Sequence, residues 1–260
     1  MTATSPPSPP SLPSPPRRTS HVLVRVHDLH RAVQDFRAAG FDVAYATAPE
    51  RKALHAHVWF PQGPVIELLT TPPGARWMRL PVDLRFGRGA GDRMVRWARQ
   101  DEGFCDLALL VEHAELAGVT RRLADDGVPC GRAVHWTRRR PDGGETRFAF
   151  SYPRAGRLPF LVTPYDPPQH PSGVRHPNGA QALTRIVLGV HPDDLRAVRH
   201  LAGDAPDLLL EEAPVTAVRA VHLAGLTRPP DPALLHGAVL RPADDLPAPP
   251  TTHGKGTSTS

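Results

Sequence analysis

The sequence predicts an α+β fold built from paired βαβββ units, and three observations carry that prediction. Residues 20–29 alternate apolar and polar side chains and are followed by a helical stretch and three further apolar runs. The same succession returns over residues 104–163. A weaker third start lies at residues 183–190. Repetition at this length points to duplicated supersecondary units that share a buried face, not to a solenoid of short repeats.

In the first unit, Val22, Val24 and Val26 fall on one side of a strand, and His21, Leu23, Arg25 and His27 on the other. A period of two marks a strand whose faces meet different environments. Leu29, Val33 and Phe36 carry helical spacing over residues 30–39, and Gly40 stands where a glycine stop belongs. Runs at 41–46, 56–60 and 64–69, broken by Pro and Gly, complete the unit. Anchored on Val26 and Val111, the second unit aligns without gaps through its first strand. It continues as a helix over 114–126 closed by Gly127, then runs at 132–137, 146–152 and 159–163. The third copy has a strand at 183–190 and a helix ending near Gly203.

Between the first two units, residues 77–80 and 92–100 read as helical pieces split by a glycine-rich link, expected to pack outside the sheet. The link lacks a following Lys-Ser/Thr and so is no nucleotide loop. Residues 164–179 are too rich in Pro and Gly for regular structure. Seven of the first sixteen residues are proline, which predicts an unpacked arm over residues 1–19. A similar composition predicts a disordered tail over 227–260. The expected division is therefore a two-unit domain at 20–182 and a partial third unit at 183–226.

Composition narrows the function. The chain has 260 residues, 32 prolines and a formal net charge of +5. No run approaches the about eighteen apolar residues a membrane helix needs. The charge invites nucleic acid as a partner, but the basic residues do not cluster. Arg138, Arg139 and Arg140 precede a turn signal at 141–144 and are read as decorating a solvated turn. The expectation is no nucleic acid and no membrane. Two cysteines are too few for a disulfide framework, so a reducing cytoplasm is the expected location; separately, a monomer or homodimer is expected.

Several motifs in order resemble the vicinal oxygen chelate superfamily, in its glyoxalase-like branch. They are residues 21–24 with Asp28 and Leu29; 36–41 at the helix end; 65–69 around Glu67; and 140–143, 158–162 and 176–180. The resemblance implies the glyoxalase and bleomycin-resistance type of fold, whose paired units curl a mixed sheet into a cup for a small molecule. It also implies a divalent metal (Mn, Fe, Zn or Ni) held at the first and last strands of each unit. Carried over, these positions are His21 and Glu67 in unit one, and Asp106 and Thr163 in unit two. Imidazole with carboxylates suits such an ion, whereas Thr163 is a poor ligand and is placed with the substrate instead. The expected metal ligands are thus His21, Glu67 and Asp106.

A carboxylate inside an apolar strand needs a partner or a role, which makes Glu67 the expected catalytic residue. His55 and His57 share a strand face and suit acid–base or donor work in the cup. With Trp59, Trp136, Phe148 and Thr163 they form the expected substrate-binding set. Two classes of function follow: a metal-dependent lyase, isomerase or dioxygenase acting on a small oxygenated molecule, or a non-catalytic protein that binds and sequesters one. A third, interaction through the proline-rich arms, rests on composition alone.

Overall fold

Two sheets are stacked so that one repeats the middle of the other. A computed structural model describes residues 17–245, Ala48 and Pro141 excepted; residues 1–16 and 246–260, where most of the expected arm and part of the expected tail fall, lie outside the described residues. Unit one runs β1 (Arg18–Arg25), α1 (Leu29–Ala38), β2 (Ala44–Tyr45), β3 (His55–Val58) and β4 (Val65–Leu69). Helices α2 (Arg79–Phe86) and α3 (Ala90–Arg99) follow. Unit two is β5 (Gly103–Leu110), α4 (Leu116–Asp125), β6 (Val134–Arg139), β7 (Glu145–Ser151) and β8 (Phe160–Val162). Together the two units form one curled mixed sheet in the order β2-β3-β4-β1-β5-β8-β7-β6.

Local chemistry sets these elements. The Asp28 carboxylate accepts from the backbone N–H groups of His30 and Arg31 at 2.9 and 3.1 Å, capping α1 as a short acidic side chain does at a helix start. Gly40 closes the helix at φ +84°, and a Cβ there would stand 2.8 Å from the Cβ of Asn178. The turn therefore requires glycine both for its backbone and for its close neighbour.

The second sheet is β10-β9-β11-β12, from β9 (Ala182–Val190), β10 (Leu208–Glu212), β11 (Ala217–Ala224) and β12 (Leu240–Pro242), with α5 (Leu195–Ala202) between β9 and β10. Its pairing is parallel, antiparallel, parallel. That is the pattern of β4-β1-β5-β8 in the larger sheet. The segment expected to be one partial unit at 183–226 thus holds three of the four strands of a truncated pair, and the pair continues into the residues assigned to a tail. Leu235, Ala238 and Leu240 are buried, and Leu240 pairs with Val221. The prolines around them disguise a segment whose apolar side chains nevertheless reach the core.

Each face of the large sheet has its own apolar cluster. Val22, Val24, Ile66 and Leu68 join α1, α4 and the second sheet's Ile186, Leu188 and Val221 on the convex side. Leu23, Leu69, Ala108, Phe148, Phe150, Phe160 and Val162 gather on the concave side with Trp97 of α3. Helices α2 and α3 were expected outside the sheet, but they fold over this concave face and contribute Val82, Phe86, Ala90, Arg93, Met94 and Trp97 to the wall of the cup.

Candidate active site

Alternation along β1, β3 and β4 decides what reaches the cup. In the pairing of adjacent strands, His57 lies opposite Glu67, Glu67 opposite Leu23, and Leu23 opposite Asp106. These four form one row across the concave face. At about 4.8 Å per strand, Glu67 and Asp106 start from backbones about 10 Å apart, with Leu23 between them.

Unit one gathers its histidines on Glu67. His55 Nδ1 donates to Glu67 Oε1 at 2.5 Å. His21 Nε2 lies 3.4 Å and His57 Nε2 3.8 Å from Oε2. His21, His57 and Glu67 are all buried. Burial works to raise the Glu67 carboxyl, but the adjacent His55, with the hydrogen bonds of His55 and His57, outweighs it and holds the group well below its usual range. Burial lowers His21 to about 4 despite the nearby Glu67, and lowers His57 likewise. The cluster therefore holds an ionised carboxylate beside two rings, His21 and His57, whose burial disfavours protonation. In a neutral His55 ring, protonation at Nδ1 leaves Nε2 as an acceptor, because a carboxylate on one nitrogen fixes the tautomer. Half-exposed, His55 lines the cup beside His21 and Glu67.

Unit two treats its carboxylate differently. Asp106 Oδ2 accepts from Arg93 at 2.5 Å, Arg96 at 2.9 Å and Trp97 Nε1 at 2.8 Å. Its Oδ1 accepts the Leu107 N–H at 2.9 Å. Asp106 was expected beside His21 and Glu67 as a ligand. It is instead the counter-charge for a fully buried arginine, since an arginine out of water needs a paired, hydrogen-bonded anion. Thr163 Oγ1 accepts the Ala149 N–H at 2.8 Å and lies 3.1 Å from His113 Nε2, so it too is engaged away from the cup. Of the four positions the resemblance marks for a metal, two are thereby occupied by internal partners. Among the described residues, no group of three or more His, Cys, Asp or Glu side chains is disposed to hold an ion. Asp106 and Thr163 are thereby withdrawn from the ligand set that the resemblance implies, and His21 and Glu67 remain side by side.

The cup encloses about 220 Å³. Trp136 and Phe148, expected as substrate contacts, line it, as do Phe86, Phe150, Tyr152, Phe160 and Tyr165. His57 and Trp59 face a second cavity of about 210 Å³, which shares His21, Glu67 and Tyr165 with the first. Thr163 lines neither. Sequence reasoning missed Arg138, which sits on the cup wall with Trp136. The signal was available: two residues apart on a strand, they share a face.

With this geometry in view, the comparisons fit. The profile of the glyoxalase-like domain family matches residues 20–202, and the chain belongs to that family, within the vicinal oxygen chelate superfamily. A crystal structure of a hypothetical protein from Staphylococcus aureus is similar, at 12% identity and TM-score 0.62, covering 86% of this chain and 98% of that one. A Streptomyces coelicolor methylmalonyl-CoA epimerase bound to 2-nitronate-propionyl-CoA matches at 22% identity and TM-score 0.36, over 57% of this chain and 98% of the other. A fusion of a xylose isomerase-like barrel with 4-hydroxyphenylpyruvate dioxygenase matches at 12% identity and TM-score 0.43, over 85% of this chain and 39% of the fusion. A search of curated proteins finds no match.

Proposed function

We propose that this glyoxalase-like protein is an enzyme that moves a proton on a small oxygenated molecule bound in the cup. The observation that carries the reading is the 2.5 Å hydrogen bond between Glu67 and His55 at the cup wall. An anionic carboxylate on Nδ1 orients the ring and stabilises the imidazolium that forms when Nε2 takes a proton. His21 and His57 supply further polar contacts to the carboxylate and keep it ionised while it is out of water. The aromatic walls exclude water from the reacting carbon and hold an apolar body.

The test is proton exchange. Small oxygenated carbon acids incubated with the protein in D₂O should lose their activated C–H signal in proton NMR. Glu67→Gln and His55→Gln should each abolish that loss while keeping the circular dichroism of the native chain. Exchange that survives both substitutions would overturn the reading.

A second reading, sequestration without chemistry, is favoured by the internal partners of Asp106 and Thr163, which leave unit two without a free polar group at the expected positions. Tight ligand binding with no exchange by the unsubstituted protein is its signature.

A further inference from the structure

Two arginines that the proton-transfer reading does not use line the cup, Arg93 and Arg138, and Arg93 is paired with Asp106. Arg138 projects from β6 on the same face as Trp136, and its guanidinium carbon lies 5.5 Å from the Phe148 ring centroid. Its Nη1 is buried and has no hydrogen-bond partner among the described residues. Arg93 likewise keeps its Nε unbonded among the described residues, but its charge is answered by Asp106. A buried guanidinium nitrogen left unbonded is costly, and an anion entering the cup would satisfy it.

We infer that Arg138 is the anchor for a carboxylate, and that the cup takes small monocarboxylic acids with an apolar, ring-sized body. Three features narrow the class. A guanidinium offers paired N–H groups that match a carboxylate's two oxygens. Around Arg138 the wall is mainly apolar, with Leu23, Phe86, Met94, Trp136, Phe148 and Phe150, while the Glu67 carboxylate with His21 and His55 lines another part of it. The other arginine of the lining, Arg93, is already paired with Asp106. The volume of about 220 Å³ falls below the about 300–1,000 Å³ of pockets for drug-sized ligands. Arg138 lines the same cup as His21, His55, Glu67 and Tyr165, which places it beside the reacting groups. With its carboxylate on Arg138, an acid lays its body along Phe148 toward His55 and Glu67.

The inference rests on the proton-transfer reading for its site, and its test is separable from that reading. Phenylacetate, phenylacetamide and phenyl phosphate are titrated into the full chain, with affinity followed by calorimetry and tryptophan fluorescence. The expected result is that the acid binds about tenfold or more tighter than the amide, a margin of about 1.4 kcal/mol. Arg138→Met should bring the acid to the amide's level, and Arg138→Lys should retain part of the preference. Equal binding of acid and amide by the unsubstituted protein overturns the inference, and so does phenyl phosphate binding tighter than the acid. The same holds for a preference that survives Arg138→Met. Comparing acid with amide needs no variant and decides the matter even if Arg138→Met does not fold. An acid preference without any C–H exchange would remove the proton-transfer reading and leave the carboxylate site standing.

Discussion

Glu67 and Asp106 lie in one row of one sheet, separated by Leu23, and have been put to opposite uses. Unit one surrounds its carboxylate with three imidazoles. Unit two surrounds its own with two guanidinium groups and an indole N–H. Imidazoles exchange protons near neutral pH, whereas an arginine stays charged throughout. The first arrangement suits chemistry and the second suits architecture. On the proton-transfer reading one half of the duplicated scaffold does the chemistry and the other carries the covering helix: Arg93, Arg96 and Trp97 all belong to α3, so the ion cluster around Asp106 also fastens that helix over the cup.

The comparison breaks most readily at Asp106. Asp106→Ala leaves Arg93 buried without its counter-charge, and removing one partner of a buried pair costs about 3–5 kcal/mol. Urea unfolding should register a loss of that size, with the cup opened by release of α3. A loss below about 1 kcal/mol would mean that Arg93 finds another anion. Glu67→Gln should invert the pattern. The amide keeps the shape and hydrogen-bonding reach of the carboxylate, so stability should fall by less than about 2 kcal/mol. Proton exchange should fall about 100-fold or more, the usual scale for a positioned acid–base group.

Much of this was legible in the chain, and the illegible part has a physical cause. The alternation of Val22, Val24 and Val26 against His21 and Leu23 placed β1, and the stops at Gly40 and Gly127 ended α1 and α4. Glu67 announced itself as a lone charge between Ile66 and Leu68. What alignment of the two units was unable to reveal is the partner of Asp106. Arg93 and Trp97 come from a connector with no counterpart between other units, and their four-residue spacing reads equally well as an exposed basic face. Arg138 was hidden by its neighbours: three consecutive arginines look solvated, although strand alternation sends Arg138 inward and Arg139 out. Proline density masked β12 in the same way, because Leu235 and Leu240 are too sparse to signal a buried strand.

Acid titration sharpens the contrast between the halves. His21 falls from 6.5 to about 4 on folding, chiefly through burial, so between those values the unfolded chain binds the proton that the native chain refuses. Stability should then be flat above about pH 6.5 and fall as pH drops toward 4. His57 and His176, both lowered by burial, act with the same sign in that window. Glu67, held low by its histidines, adds its own loss only as pH falls below its unfolded value near 4.5. His21→Gln should reduce the slope of unfolding free energy between pH 6.5 and 4.5 by about 1.4 kcal/mol per pH unit, one proton's worth. An unchanged slope would mean that His21 is protonated in the native protein.

The smallest effect expected separates the two histidines of β3. His55 and His57 both face Glu67, but His55 opens on the cup and His57 on the neighbouring cavity with Trp59 and His170. If Nε2 of His55 is the group that meets the substrate, only His55→Gln removes a reacting atom. His57→Gln keeps a polar contact near Oε2 and takes away one of several groups that hold the carboxylate ionised. Proton exchange by His57→Gln should therefore stay within about tenfold of the unsubstituted protein, while the pH at which activity is half-maximal shifts upward as Glu67 becomes easier to protonate. His55→Gln, by contrast, should lose exchange at every pH. Equal losses from the two substitutions would move the reacting group from His55 to the carboxylate itself, with both rings serving only to position it.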